Sequence, residues 1–247
     1  MWKYGRKFIQ NIFKKRSNRT FIYSGLATRV QADSDRSDIR MFEVGISSQR
    51  YGDYEQSTGA TAQQIEGERL ITIAKKCNLF VDKKEWENLG ERKRLPSGES
   101  VVYLSDDETK VIKVRDPFAK SALKHLHSQD VIYEHLVHNI LFPDTRYEFL
   151  GISTDVDGVR ILLGQKYISH SFRTVSQKEI DTYLVKYLGL KKENQYFYGN
   201  DYVAVTDVSA DSDNVLTDGT HMFFIDPIIK FKRPAIEILE YYYSKMS

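Results

Sequence analysis

Between Ser100 and Tyr167 the chain carries two hairpin patterns with one helical pattern between them, and this order constrains the fold more than any other feature. Two β-rich runs, Ser100 to Leu104 and Lys110 to Val114, flank the turn-forming Asp106-Asp107-Glu108. A helical stretch follows from about Ser121 to Ile140, in which Tyr133, Leu136, Val137 and Ile140 repeat at the spacing of one helical face. Asn139 and Phe142-Pro143 end it, because proline disfavours helical geometry in the residue before it. A second hairpin, Tyr147 to Ser153 and Val159 to Tyr167, turns at Asp157-Gly158. Strand, strand, helix, strand, strand predicts an antiparallel sheet with one helix laid across it, an α+β unit.

The flanking segments are less regular. Leu70, Ile73, Ala74 and Cys77 predict a helix over about 62–78. Ser176 and Glu179 form a capping box ahead of the apolar stripe Ile180, Tyr183, Leu184 and Tyr187, with Gly189 as the stop. Short strands are expected at Val203 to Val205, Val215-Leu216 and Met222 to Ile225, and Pro234 opens a last helix toward Tyr243. The second half is therefore expected to be mostly helical, around one small hairpin.

Composition removes other classes. With 247 residues, 41% apolar and 13% aromatic, the chain holds enough for one globular domain with an appendage. No apolar run approaches the roughly 18–20 residues of a membrane span, so a soluble, cytoplasmic protein is expected. The single cysteine, Cys77, excludes an internal disulfide. A net charge of +2 gives no strong nucleic-acid signal. Lys3, Arg6, Lys7, Lys14, Lys15, Arg16 and Arg19 all precede the first acid at Asp33, so the N-terminus is a basic arm, a solvated tail or a contact for an anionic surface. Residues 1–61 are assigned to this arm and a polar linker, and 62–247 to the domain.

Five residues carry chemistry in order. Lys113 sits inside an apolar strand, where an ammonium either snorkels or is held for an anion. Glu134 lies beside the helix stripe, Asp207 follows the strand at Val203 to Val205, Asn214 comes seven residues later, and Asp226-Pro227 closes the strand at Met222 to Ile225. Each also fits a solvated helix position or an ordinary turn. Their order is that of a phosphotransfer site, in which a lysine binds phosphate and an amide and a carboxylate hold the metal that bridges phosphates.

The segments GESVVYL, KVIKV, HNILFPDTRYEFLGI, YFYGNDYVAVTDVSADSDNVL and FFIDPII resemble the serine/threonine/tyrosine kinase family found in polyvalent proteins of bacterial mobile elements and phage, over roughly Glu66 to Pro234. The resemblance implies a compact bilobal protein-kinase-like fold, with a small antiparallel-sheet N-lobe at about 95–168 and a minimal, mostly helical C-lobe at about 169–247. ATP and Mg²⁺ would lie between the lobes. Lys113 matches the phosphate-binding lysine and Glu134 its helix partner, while Asp207 matches the catalytic aspartate and Asn214 and Asp226 the metal ligands. Gly98 and Ser100 fall in the loop over the phosphates, and Gln165 and Tyr167 in the connector expected to meet the nucleotide.

This sequence departs from the usual pattern in three places. Asp207 and Asn214 are seven residues apart instead of five, so the loop bulges or Asp211 or Asp213 takes part of the role. The phosphate loop retains only Gly98, and neither an arginine before Asp207 nor a lysine two residues after it is present. Only 21 residues follow Asp226, which leaves no expected peptide-binding platform, so the acceptor is a protein or a small molecule. Two alternatives stand beside an active, autophosphorylating kinase: a nucleotide-binding pseudokinase scaffold, and a small-molecule phosphotransferase.

Overall fold

The computed structural model describes residues 37, 40–41, 62–87, 94–95, 100–105, 107–118, 128–169 and 171–245. Gly98, His125, His127 and nearly all of the basic arm and linker lie outside them. Among the described residues no helix is long and apolar enough to cross a membrane.

Helix α1 (Ala62–Lys76) buries Leu70, Ile73 and Ala74. Cys77, expected on the same face, is exposed, because the helix has already ended and Asn78 adopts the left-handed conformation (φ 54°). The chain then runs along the edge of strand β4 (Tyr147–Asp155), where Leu79 and Val81 exchange backbone hydrogen bonds with Ile152 at 2.9 Å. Gly151 makes this approach possible: a Cβ there would stand 2.5 Å from the Leu79 carbonyl oxygen, and its φ of 148° disfavours any side chain. The same edge takes a contact from the stretch read as linker, since the Ser37 hydroxyl accepts the Phe149 N–H at 2.6 Å beside the bulge between Phe149 and Gly151. Ser37 and Met41 are both buried.

Strand β4 belongs to an antiparallel five-stranded sheet with β1 (Arg94–Leu95), β2 (Ser100–Leu104), β3 (Lys110–Arg115) and β5 (Gly158–Lys166), in the order β1-β2-β3-β5-β4. Both expected hairpins form, with Gly158 at φ 130° in the second turn. Short helix α2 (Lys83–Glu87) closes one face, where Trp86 packs on Tyr103, Val114 and Leu162 and donates its indole N–H to Ser153 at 2.8 Å.

The opposite face carries helix α3 (Ser128–Leu141), the connection between β3 and β4. Every residue from Val131 to Leu141 is buried, because the second half of the chain covers the side of α3 that the sheet does not. Polar Glu134, His135, His138 and Asn139 are therefore inside and must find partners.

The second half departs from its mostly helical expectation. It has the capped helix α4 (Gln177–Asp181), a π-helical turn over Thr182–Tyr187, and helix α5 (Ala235–Lys245). It also has six short strands: β6 (Lys191–Lys192), β7 (Tyr198–Gly199), β8 (Val203–Thr206), β9 (Val215–Thr217), β10 (Met222–Phe224) and β11 (Ile228–Phe231). β9 and β10 form the expected hairpin, while β11-β8-β7-β6 make a separate four-stranded sheet. β8 is fully buried, and β11 supplies the partner its backbone needs. One cluster of buried apolar side chains, including Phe149, Leu163, Val137, Val205 and Ile238, spans both halves.

Candidate active site

Lys113 is held by geometry on three sides. It lies in β3 with Val102 of β2 and Leu163 of β5 directly opposite, and period-2 alternation puts Val111, Lys113 and Arg115 on the face that meets α3. Its residue is only 9% exposed, yet the ammonium is not unpaired: Nζ is 3.3 Å from Asp226 Oδ2 and 3.3 Å from the Tyr147 hydroxyl. It also stands 5.2 Å from the Tyr147 ring centre. Burial pushes its pKa below the ordinary lysine value, and the Asp226 charge opposes that shift.

Asp226 follows β10 closely, and the backbone ahead of it is anchored from the first half of the chain. Thr145 donates to the Phe224 carbonyl at 2.6 Å, Gln165 to the Ile225 carbonyl at 2.9 Å, and Tyr147 to the Ile225 carbonyl at 3.2 Å. The carboxylate accepts from the Tyr147 hydroxyl at 3.1 Å through Oδ1 and faces Lys113 through Oδ2. Its side chain is 56% exposed, so it opens outward while protein crowds its inner side. Burial alone raises its pKa, but Lys113 and Arg115 together hold it below the usual carboxylate value.

Asp207 and Asn214 meet directly. β8 ends at Thr206, and Asp207 turns the chain with φ 61°, a left-handed conformation that aspartate tolerates better than most side chains. The Asn214 side-chain N–H donates to Asp207 Oδ2 at 2.7 Å and to its carbonyl at 3.2 Å. The two extra residues are taken up by a turn in which Ser212 N–H donates to the Ser209 carbonyl at 3.0 Å, and the Ser212 hydroxyl accepts the Asn214 N–H at 3.3 Å. Asp211 and Asp213 project from this turn, exposed. The Asn214 carbonyl accepts the Ile225 N–H at 2.9 Å, which puts Asn214 beside the residue that precedes Asp226.

Glu134 has a different partner from the one its order in the chain suggests. Its carboxylate is 3.6 Å from Arg115, and the carboxylate facing Lys113 is Asp226. Arg115 shares a face with Lys113 by the strand period, and it is Arg115 that meets Glu134 and His135 of α3. Arg115 also donates to His135 Nε2 at 3.2 Å, while His135 Nδ1 lies against the Val131 carbonyl and so carries the proton. Burial first, and Arg115 second, depress the His135 pKa well below its ordinary value. His138 donates to the Thr145 carbonyl at 3.0 Å, and burial lowers its pKa to about 4.

Other expected contacts divide. Gln165 is buried and spends its side-chain amide on the Thr145 and Ile225 carbonyls, at 2.7 and 2.9 Å, so it braces the site from behind and does not present that amide to a ligand. Tyr167 packs on Val102, Leu104 and Val111, an apolar patch on the Lys113 face of the sheet. Ser100 opens β2, and Gly98 lies outside the described residues. Tyr147 and Arg115 were not anticipated. Arg115 was legible in principle as the residue two beyond Lys113 on one strand face, whereas nothing near Tyr147 in sequence points to Asp226.

Among the described residues no cluster of three or more His, Cys, Asp or Glu is present; the oxygen donors at this site are the Asp226 and Asp207 carboxylates and the Asn214 amide oxygen. Oxygen-only donors of this number suit Mg²⁺ completed by phosphate and water. Comparison with curated proteins finds no match, and comparison with solved structures finds none. The family model described as serine/threonine/tyrosine kinase found in polyvalent proteins matches residues 63–233, and with Lys113, Asp207, Asn214 and Asp226 in the arrangement above the chain belongs to that family.

Proposed function

We propose that the protein transfers the terminal phosphoryl group of ATP to a hydroxyl acceptor, with Mg²⁺ held by Asp226 and Asn214. The observation that carries this reading is the Lys113–Asp226 pair at 3.3 Å, an ammonium for phosphate beside a half-exposed carboxylate for metal. The metal would supply charge neutralisation of the phosphates. The apolar patch of Val102, Leu104, Val111 and Tyr167 suits a nucleotide base between the two halves of a bilobal domain.

The protein's own groups divide the work. Lys113 keeps an ammonium proton free of Asp226 and Tyr147 for a phosphate oxygen. Asn214 commits its amide N–H to Asp207, which leaves its amide oxygen for the metal and fixes the Asp207 carboxylate through Oδ2. Oδ1 of Asp207 then accepts the proton of the acceptor hydroxyl as its oxygen attacks phosphorus and the bond to ADP breaks. Purified protein with Mg²⁺ and labelled ATP is expected to label itself or an acceptor, and an Asp207→Ala variant to lose the label. Equal labelling of both proteins ends this reading.

The Arg115–Glu134 pair favours a second reading, a nucleotide-binding scaffold without turnover, because the helix carboxylate is engaged away from Lys113. An ATP- and Mg²⁺-dependent rise in melting temperature without any phosphoryl transfer supports it.

A further inference from the structure

Building on the phosphotransfer reading above, we propose that Tyr147, and not Glu134, is the positioning residue that aims Lys113 at phosphate and orients the Asp226 carboxylate. Its hydroxyl lies within hydrogen-bonding reach of both, 3.3 Å from Lys113 Nζ and 3.1 Å from Asp226 Oδ1. Glu134 is 3.6 Å from Arg115 and serves as the counter-ion of that guanidinium.

Helix α3 places the tyrosine with three side chains. Asn139 behaves as a strand partner for it, accepting the Tyr147 N–H at 2.6 Å and donating to the Tyr147 carbonyl at 2.8 Å. His135 and His138 then hold the ring from two sides, with centroids 4.5 and 4.6 Å away. With the backbone clamped and the ring enclosed, the hydroxyl has little freedom in where it points, and the residue is 4% exposed. A helix that holds Lys113 through a carboxylate would act by one flexible side chain; here it acts by fixing a rigid one.

The chemistry also suits a phenol at this place. Asp226 already neutralises Lys113, so a second carboxylate between them would repel it. A neutral hydroxyl accepts from the ammonium while its single proton is shared between the Asp226 carboxylate at 3.1 Å and the Ile225 carbonyl at 3.2 Å. Groups of this kind, which orient a metal ligand from behind, typically change metal affinity or activity by about 10–100-fold when removed.

Two double-mutant cycles on the full chain test the assignment, built from Tyr147→Phe, Glu134→Gln and Lys113→Met. Tyr147→Phe keeps the ring and removes only the hydroxyl. By calorimetry it is expected to weaken MgATP binding about tenfold, and in the Lys113→Met background this loss should shrink to the share carried through Asp226. Any loss from Glu134→Gln should persist in full in that background. The reverse pattern, a Glu134 effect that shrinks without Lys113 and a Tyr147 effect that does not, overturns the assignment. Urea midpoints of the same variants without nucleotide test the link independently: Tyr147 and Lys113 shifts that fail to add support it, and additive shifts overturn it. Should the unmutated protein bind no MgATP, the phosphotransfer reading fails, and the urea cycle alone decides whether Tyr147 holds Lys113.

Discussion

Asn214 donates its side-chain amide to the Asp207 carboxylate at 2.7 Å, across a loop two residues longer than the usual spacing. The extra length is absorbed by the Ser209–Ser212 turn, so the pairing of these two side chains survives the insertion. A longer loop on its own therefore says little about lost activity.

Replacing Asn214 by aspartate tests how far this pair matters. The substitution keeps size and a metal-binding oxygen but removes the donor and sets two carboxylates against each other, which raises the pKa of one of them. Phosphoryl transfer is expected to fall by about 10²-fold at neutral pH, with a smaller change in MgATP affinity. Steady-state rates and calorimetric affinities measured on one preparation separate these effects; a rate within about twofold of the unmutated protein would show that the contact does not serve turnover.

Stability should depend on pH between about 6.5 and 4 through the buried histidines. His138 titrates near 4 when folded and near 6.5 when unfolded, so between those values the unfolded chain binds more protons. The stabilising neutral form is thus fully in place above pH 6.5, and stability declines as pH falls toward 4. At pH 5 the loss from His138 is about 2 kcal/mol, and His135, also held neutral, adds in the same direction. Urea unfolding at the two ends of that range measures it, and His138→Gln should flatten the dependence.

Gly151→Ala is expected to cost about 2 kcal/mol or more, since the new methyl meets the Leu79 carbonyl at 2.5 Å and the backbone sits at φ 148°. The damage should be local at first, loosening the Leu79–Val81 segment from β4. Amide exchange at Ile152 and Val81 would then speed up before the rest of the sheet is affected. Unaltered exchange there would mean that the chain relaxes around the methyl.

The first sheet was legible because its hairpins are local: Asp157-Gly158 and the Asp107-Glu108 turn set the register of strands only a few residues away. Lys113, Asp207, Asn214 and Asp226 were legible as an ordered set of residue types. The pairing of charges was not, since order along the chain does not tell which of two carboxylates, Glu134 or Asp226, meets which of two cations on one strand face. Strands β6, β7 and β11 of the second half escaped notice for a related reason. β11 is four residues long, and its only reason to extend is β8, which precedes it by more than twenty positions.

The Arg115–Glu134 pair leads to a prediction with two parts. Both side chains are nearly buried, at 12% and 9% exposure, and Arg115 Nε has no hydrogen-bond partner among the described residues. Glu134→Ala leaves the guanidinium hydrogen-bonded to neutral His135 without its adjacent carboxylate, and an uncompensated buried charge of this kind costs about 3 kcal/mol. Removing both charges together, as Arg115→Met with Glu134→Gln, should recover most of that loss, because the pair's attraction only offsets its own desolvation. Urea unfolding of the single and double variants measures the stability. If Glu134 serves only Arg115, the double variant keeps phosphoryl transfer within a few-fold of the unmutated protein. A stable double variant with no transfer, where Arg115→Met alone retains it, would instead place Glu134 in the phosphate-binding machinery, as its position in the sequence first suggested.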